Sequence, residues 1–140
     1  MIRSFIPAAL VLTGAALLVG CCSGEQLHDV SGTITYEGKP VPKGLIFFDP
    51  EKGTPGTQGF ANIENGRFDT SVSGQGKGIR GGAYSVRISG FDGVVGPEAP
   101  FGKALFPEHE FKKDLAAQKQ TLDYDVKRAK APPAGAPAGP

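Results

Sequence analysis

The chain has 140 residues with 15 Lys and Arg against 14 Asp and Glu, 21 Gly, 12 Pro, two Cys, no Trp and a single Met at its start. Near-balanced charge gives no electrostatic reason to expect nucleic acid as a partner. Two adjacent cysteines near one end rule out a disulfide framework or a thiolate metal site in the rest of the chain. So much Gly and Pro favours many short strands over long helices, within a length that suits one domain.

Residues 1–20 have the three parts of an export signal: Arg3, an apolar run over residues 5–19, and Gly20 as the small residue before a cut. The run is too short, and too interrupted by Pro7, Thr13 and Gly14, to span a hydrocarbon core that takes about 20 apolar residues. Leu18-Val19-Gly20-Cys21 closely resembles the lipobox of bacterial lipoproteins. The resemblance implies a diacylglyceryl thioether on Cys21, removal of the leader, and an acyl chain such as palmitate on the new amine. A thiolate suits that alkylation because it is small and strongly nucleophilic. The competing reading is an ordinary secretory leader cut near Gly20, with Cys21 free or oxidised. Cys22 is read as idle, since neighbouring cysteines fit disulfide geometry poorly. The residue after the anchor is not Asp, which in some lipoproteins marks inner-membrane retention; the resemblance thus favours the outer membrane over the inner. With Arg3 gone, 14 basic side chains face 14 acidic ones.

Residues 21–29 form a lipidated tether, at most ~30 Å long when extended and nearer ~16 Å as a coil. The domain is expected over residues 30–126. Residues 30–36 alternate apolar and polar, with Val30, Ile34 and Tyr36 inward. Residues 37–44, with two Gly and two Pro, read as a loop. Leu45-Ile46-Phe47-Phe48 is apolar on both faces and suits a strand covered on both sides. Residues 57–63 and 67–72 are strands joined by Asn65-Gly66, a strong hairpin signal, with Phe68 and Val72 inward. Residues 73–82 read as a flexible glycine-rich loop. Residues 83–88 alternate again, with Tyr84, Val86 and Ile88 inward. Residues 90–103 are the longest irregular stretch and carry Phe91 and Phe101. Residues 106–115 are ambiguous, with a single helical turn as one reading. Residues 121–126 place Leu122, Tyr124 and Val126 inward and Asp123 and Asp125 outward. Residues 127–140, rich in Ala, Pro and Gly, have nothing to bury and are expected to be disordered. Six or seven short strands indicate an all-β fold, an antiparallel β-sandwich.

Three segments carry a family resemblance: VSGTITYEGKPVPKGLIFFDP from Val30, GFANIENGRFDTS from Gly59, and GAYSVRI from Gly82. Together they resemble the carboxypeptidase regulatory-like domain, a transthyretin-like sandwich. The late Phe106-Pro107-Glu108 and the strand after it fit the same pattern, while Gly81-Gly82 departs from the Pro-Gly that often precedes the Tyr strand. The resemblance implies a fold and no activity, and it offers no catalytic residues.

The residues supply no catalytic set. Residues 76–81 have the spacing of a dinucleotide-binding glycine motif, but a strand follows them instead of a helix. His28 and His109 lack partners at ligand spacing and read as solvated surface residues. Asp123 and Asp125 are paired carboxylates that suit Ca²⁺ or acid/base work only if buried; on an outward face they read as a solvated strand that repels edge pairing. Phe91 and Phe101 form either a contact surface or a plug for the open end of the sandwich. The expected protein is a lipid-anchored, non-enzymatic envelope module, with an envelope protein or glycan as its partner and no metal or cofactor beyond the acyl groups. The alternative is a glycan- or peptide-binding module using residues 73–82 and 90–103.

Overall fold

The computed structural model describes Gly24 and residues 26–128. The leader, the lipobox residues Leu18, Val19 and Gly20, the Cys21 anchor, and the tail from residue 129 lie outside the described residues.

The all-β expectation holds. The strands are β1 (Val30–Tyr36), β2 (Lys39–Pro40), β3 (Lys43–Pro50), β4 (Gly59–Glu64), β5 (Arg67–Asp69), β6 (Gly76–Lys77), β7 (Gly82–Phe91), β8 (His109–Leu115), β9 (Gln120–Thr121) and β10 (Tyr124–Val126). They make one hydrogen-bonded sheet in the order β10-β1-β5-β4-β3-β7-β8, with β2 and β9 also on β1 and β6 on β4. The sheet curls into a half-barrel, which corrects the expectation of two stacked sheets. Period-2 alternation makes one buried face per strand, and a curled sheet satisfies it as well as two flat ones do.

The inner face gathers Val30, Ile34, Ile46, Phe48, Ala61, Ile63, Phe68, Tyr84, Val86, Ile88, Leu122 and Val126, all buried. Val41, Ile79 and Phe106 enter the same core from connections between strands. Leu45 and Phe47 lie on the other face of β3 and are only half-buried, so this strand is not covered on both sides. What covers Phe47 is Arg87, whose guanidinium lies 5.2 Å from the ring centroid while its Nε bonds Asp49 at 2.5 Å. A long cation shielding an aromatic face explains how the run stays apolar without a second sheet.

The hairpin at Asn65-Gly66 forms with φ of +49° and +75°, the left-handed pair a type I′ turn needs. A second such turn at Glu37-Gly38 (φ +49° and +81°) falls where a loop was expected, and β2 returns along β1. Asp125 fixes it from outside, its Oδ1 accepting from the Gly38 amide at 2.9 Å. β5 ends early because Asp69 accepts from the Ser71 amide and hydroxyl, at 2.8 and 2.6 Å, and turns the chain. Val72 therefore leaves the sheet and is 43% exposed instead of pointing inward.

Residues 73–82 pack against the barrel as more than a flexible loop. β6 joins β4, and Ile79 exchanges backbone bonds with His28 (2.6 and 3.0 Å) and is fully buried. Glycine lets this segment approach closely: a Cβ on Gly78 would lie 2.6 Å from the His28 carbonyl oxygen. Residues 109–115 are a strand paired with β7 along its length, and the helical-turn reading of that region is corrected.

β9 and β10 run parallel to β1, keeping one register from Val30↔Gln120 to Tyr36↔Val126. Between them Asp123 substitutes for the ladder: its Oδ1 accepts from the Thr33 amide at 2.9 Å and the Thr33 hydroxyl at 2.8 Å. Asp125 likewise takes the Thr35 hydroxyl at 2.7 Å. The two carboxylates are fasteners of the last strand, which corrects their reading as a merely solvated face. The edges β8 and β10 meet through side chains, with Phe111 and Tyr124 stacked at 4.2 Å.

The Lys127 ammonium, then the Gly38 amide and the Thr35 hydroxyl, hold Asp125 down to a pKa of about 2. A carboxylate depressed in the folded state contributes stability above its unfolded pKa of about 4 and loses it as pH falls. We expect stability to drop between about pH 4 and the folded value of about 2, and to drop less in Asp125→Asn. Urea unfolding of both proteins at several pH values checks this. Equal acid sensitivity would count against it.

Candidate functional site

Strand directions give the half-barrel two poles. β1 rises from the near pole, where the chain enters through His28, and the antiparallel pairings carry residues 51–58, 70–81 and 116–119 to that same pole. The far pole collects the turns at residues 37–38 and 65–66, the segment 92–108, and the end of β10. Ten residues of β7 separate the poles by ~30 Å at ~3.3 Å per residue.

The segment after β7 is built, not loose. Phe91 bridges Ala104, the Asp92 amide donates to the Lys103 carbonyl at 2.9 Å, and the Leu105 amide to the Gly90 carbonyl at 2.9 Å. The Asp92 carboxylate accepts from the Val94 and Lys103 amides at 2.9 and 3.0 Å, tying both ends of the excursion to one oxygen. At its tip Gly96 and Ala99 exchange backbone bonds of 3.0 and 3.2 Å.

This braced loop holds apolar side chains in water. Val94 and Val95 are each 72% exposed and Phe101 is 47% exposed. Phe91 is half-buried, with its ring 5.8 Å from that of Phe101. Full burial of a valine or phenylalanine is worth ~1.5–3 kcal/mol, so a backbone fixed against collapse forgoes a substantial gain. Behind the loop, Gly93 backs onto Pro42, and a cleft of about 360 Å³ opens between Tyr36, Pro40, Pro42 and Leu105. The apolar surface therefore continues from the loop toward the Glu37-Gly38 turn.

Phe91, the last residue of β7, and Phe101 on the loop lie together outside the buried core, and neither lines the 360 Å³ cleft. The reading of the residues missed Val94 and Val95. Their one signal was an apolar pair between Gly93 and Gly96-Pro97, too short for a strand and in a stretch too turn-rich to bury it.

The remaining candidates have structural roles. His28 pairs through its backbone with Ile79. His109 is half-buried, its Nε2 2.8 Å from the Tyr124 hydroxyl and its ring 5.9 Å from that of Phe111. Neither histidine is a freely solvated surface residue. Residues 76–81 hold β6 and the buried Ile79 and precede no helix. Among the described residues no three His, Cys, Asp or Glu side chains gather as a metal site.

Comparison of the chain with models of protein families, with curated proteins and with solved structures finds no match.

Proposed function

We propose that the protein is a lipid-anchored, non-enzymatic module of the cell envelope, fixed to the outer membrane through acylated Cys21 and binding an envelope partner through its far-pole loop. The observation that carries this reading is the placement of Val94, Val95 and Phe101 on a braced loop at the pole opposite the entry of the chain. An anchor at residue 21 would leave only residues 22–27 between it and His28, which joins the sheet, a reach of ~25 Å at most. The near pole would then lie against the bilayer and the loop would point away from it.

The resemblance to the carboxypeptidase regulatory-like domain belongs to the same proposal. In its support, the three quoted segments coincide with β1 to β3, with the β4–β5 hairpin, and with most of β7. A binding role without catalysis suits a site made of apolar side chains that bears no nucleophile.

The double variant Val94→Asp, Val95→Asp tests the contact. A photo-crosslinker at position 101 is expected to trap a discrete envelope neighbour in the wild type and to lose it in the variant. Thermal stability should stay within about 0.5 kcal/mol, as for exposed sites generally. A variant that keeps the crosslink at full yield would exclude this loop as the contact.

A further inference from the structure

We propose that a second site, on the β1–β5–β4 flank of the barrel, binds a neutral, hydroxyl-rich glycan. The cleft there measures about 650 Å³ and is distinct from the far-pole loop. Outward side chains of the sheet form its floor, and the chain leaving β5 through Val72 and Gln75 forms a wall.

The chemistry of the lining selects the ligand. Asp123 and Asp69 each spend one carboxylate oxygen inside the protein, on Thr33 and on Ser71, and the other bonds nothing among the described residues. Both acceptors are thereby oriented in advance. Asn62, Arg67 and Gln75 line the same cleft, and their side chains enter no hydrogen bond among the described residues, so donors and acceptors share one cleft. Sugar hydroxyls, which donate and accept at once, match such a mixed set. Val72, 43% exposed on the wall, offers an apolar surface to the C–H face of a ring.

Other ligand classes fit worse. Glu64, Asp69 and Asp123 outnumber Arg67, which disfavours phosphate and other anions. A peptide added as a strand needs a free edge, yet β1, β5 and β4 are each paired on both sides here.

The test uses the mature lipoprotein in micelles of a detergent without a sugar headgroup. Cellohexaose, maltohexaose and chitohexaose serve as neutral probes and polygalacturonate as an anionic one, with binding read by calorimetry. At least one neutral hexasaccharide should bind saturably at millimolar concentration or below. Asn62→Ala with Gln75→Ala should weaken it about 10-fold or more, since two donors are lost from side chains that bond nothing else among the described residues. Val94→Asp with Val95→Asp should leave it unchanged, which separates this site from the far-pole contact. Three outcomes would each overturn the proposal: no binding of any neutral probe, equal binding by the Asn62/Gln75 variant, or tighter binding of polygalacturonate.

Discussion

Gly32→Ala is expected to lower the stability of the domain by about 3 kcal/mol, at the upper end for an overpacked core position. Gly32 sits in β1 opposite Leu122, in the link between β9 and β10, and a Cβ there would lie 2.6 Å from the Leu122 carbonyl carbon and closer still to its oxygen. A flexible side-chain end could swing aside, but this obstacle is main chain held by the Leu122 amide's 2.8 Å bond to the Ser31 carbonyl. Relief requires moving the parallel strand away from β1. That motion would strip Thr33 of its Asp123 partner and draw Leu122 and Val126 out of the core. For a domain of this size the melting temperature should fall by on the order of 15 °C. Gly96→Ala is the matched control, since nothing lies within 4 Å of a Cβ there and the change should register within about 0.5 kcal/mol. A Gly32→Ala protein as stable as the control would show that the last strand is not bound as described.

Cys21→Ser is expected to abolish lipidation altogether. The proposed anchor is a thioether, and a serine hydroxyl is far too weak a nucleophile at neutral pH to replace the thiolate. Each buried CH₂ of an acyl chain contributes ~0.8 kcal/mol, so two or three chains hold a protein stably where one holds it marginally. Without them the near pole offers little apolar surface among the described residues: its exposed large hydrophobic side chains are Leu27, at 37%, and the flank residue Val72. The variant should accumulate as an unprocessed chain without fatty acid, whereas Cys22→Ser should remain lipidated. Intact mass of the wild-type product decides the matter, and an unmodified Cys21 there would remove the basis of the anchor.

Much of the sheet was legible because alternation survives wherever one face meets the core. Val30, Ile34, Tyr84, Val86, Ile88, Leu122 and Val126 all point inward as their spacing requires, and Asn65-Gly66 turns as that dipeptide should. Strand direction was not legible, because a period of two reads the same in a parallel pair as in an antiparallel one. The turn at Glu37-Gly38 was harder to see because Glu is an unusual residue at positive φ and part of its hold comes from Asp125, 87 positions beyond Gly38. β8 was obscured because it is an edge: of its seven residues only Leu115 is buried, and Lys112 and Lys113 break the alternation in the manner of a protected edge. The exposed valines of the far-pole loop were hidden for a related reason. What keeps them out is Asp92 folding the backbone beneath them, which no local pattern records.

The parallel docking of the last strand also has a mechanical side. The chain enters at the foot of β1 and leaves at the head of β10, two neighbours that point the same way. Tension between an anchored amino end and a tethered carboxyl end would slide these strands lengthwise past one another, loading the Asp123 and Asp125 clasps together with the main-chain bonds. Bonds stretched in concert resist far better than bonds peeled singly, so under traction along that line the domain should hold its length as a tie does.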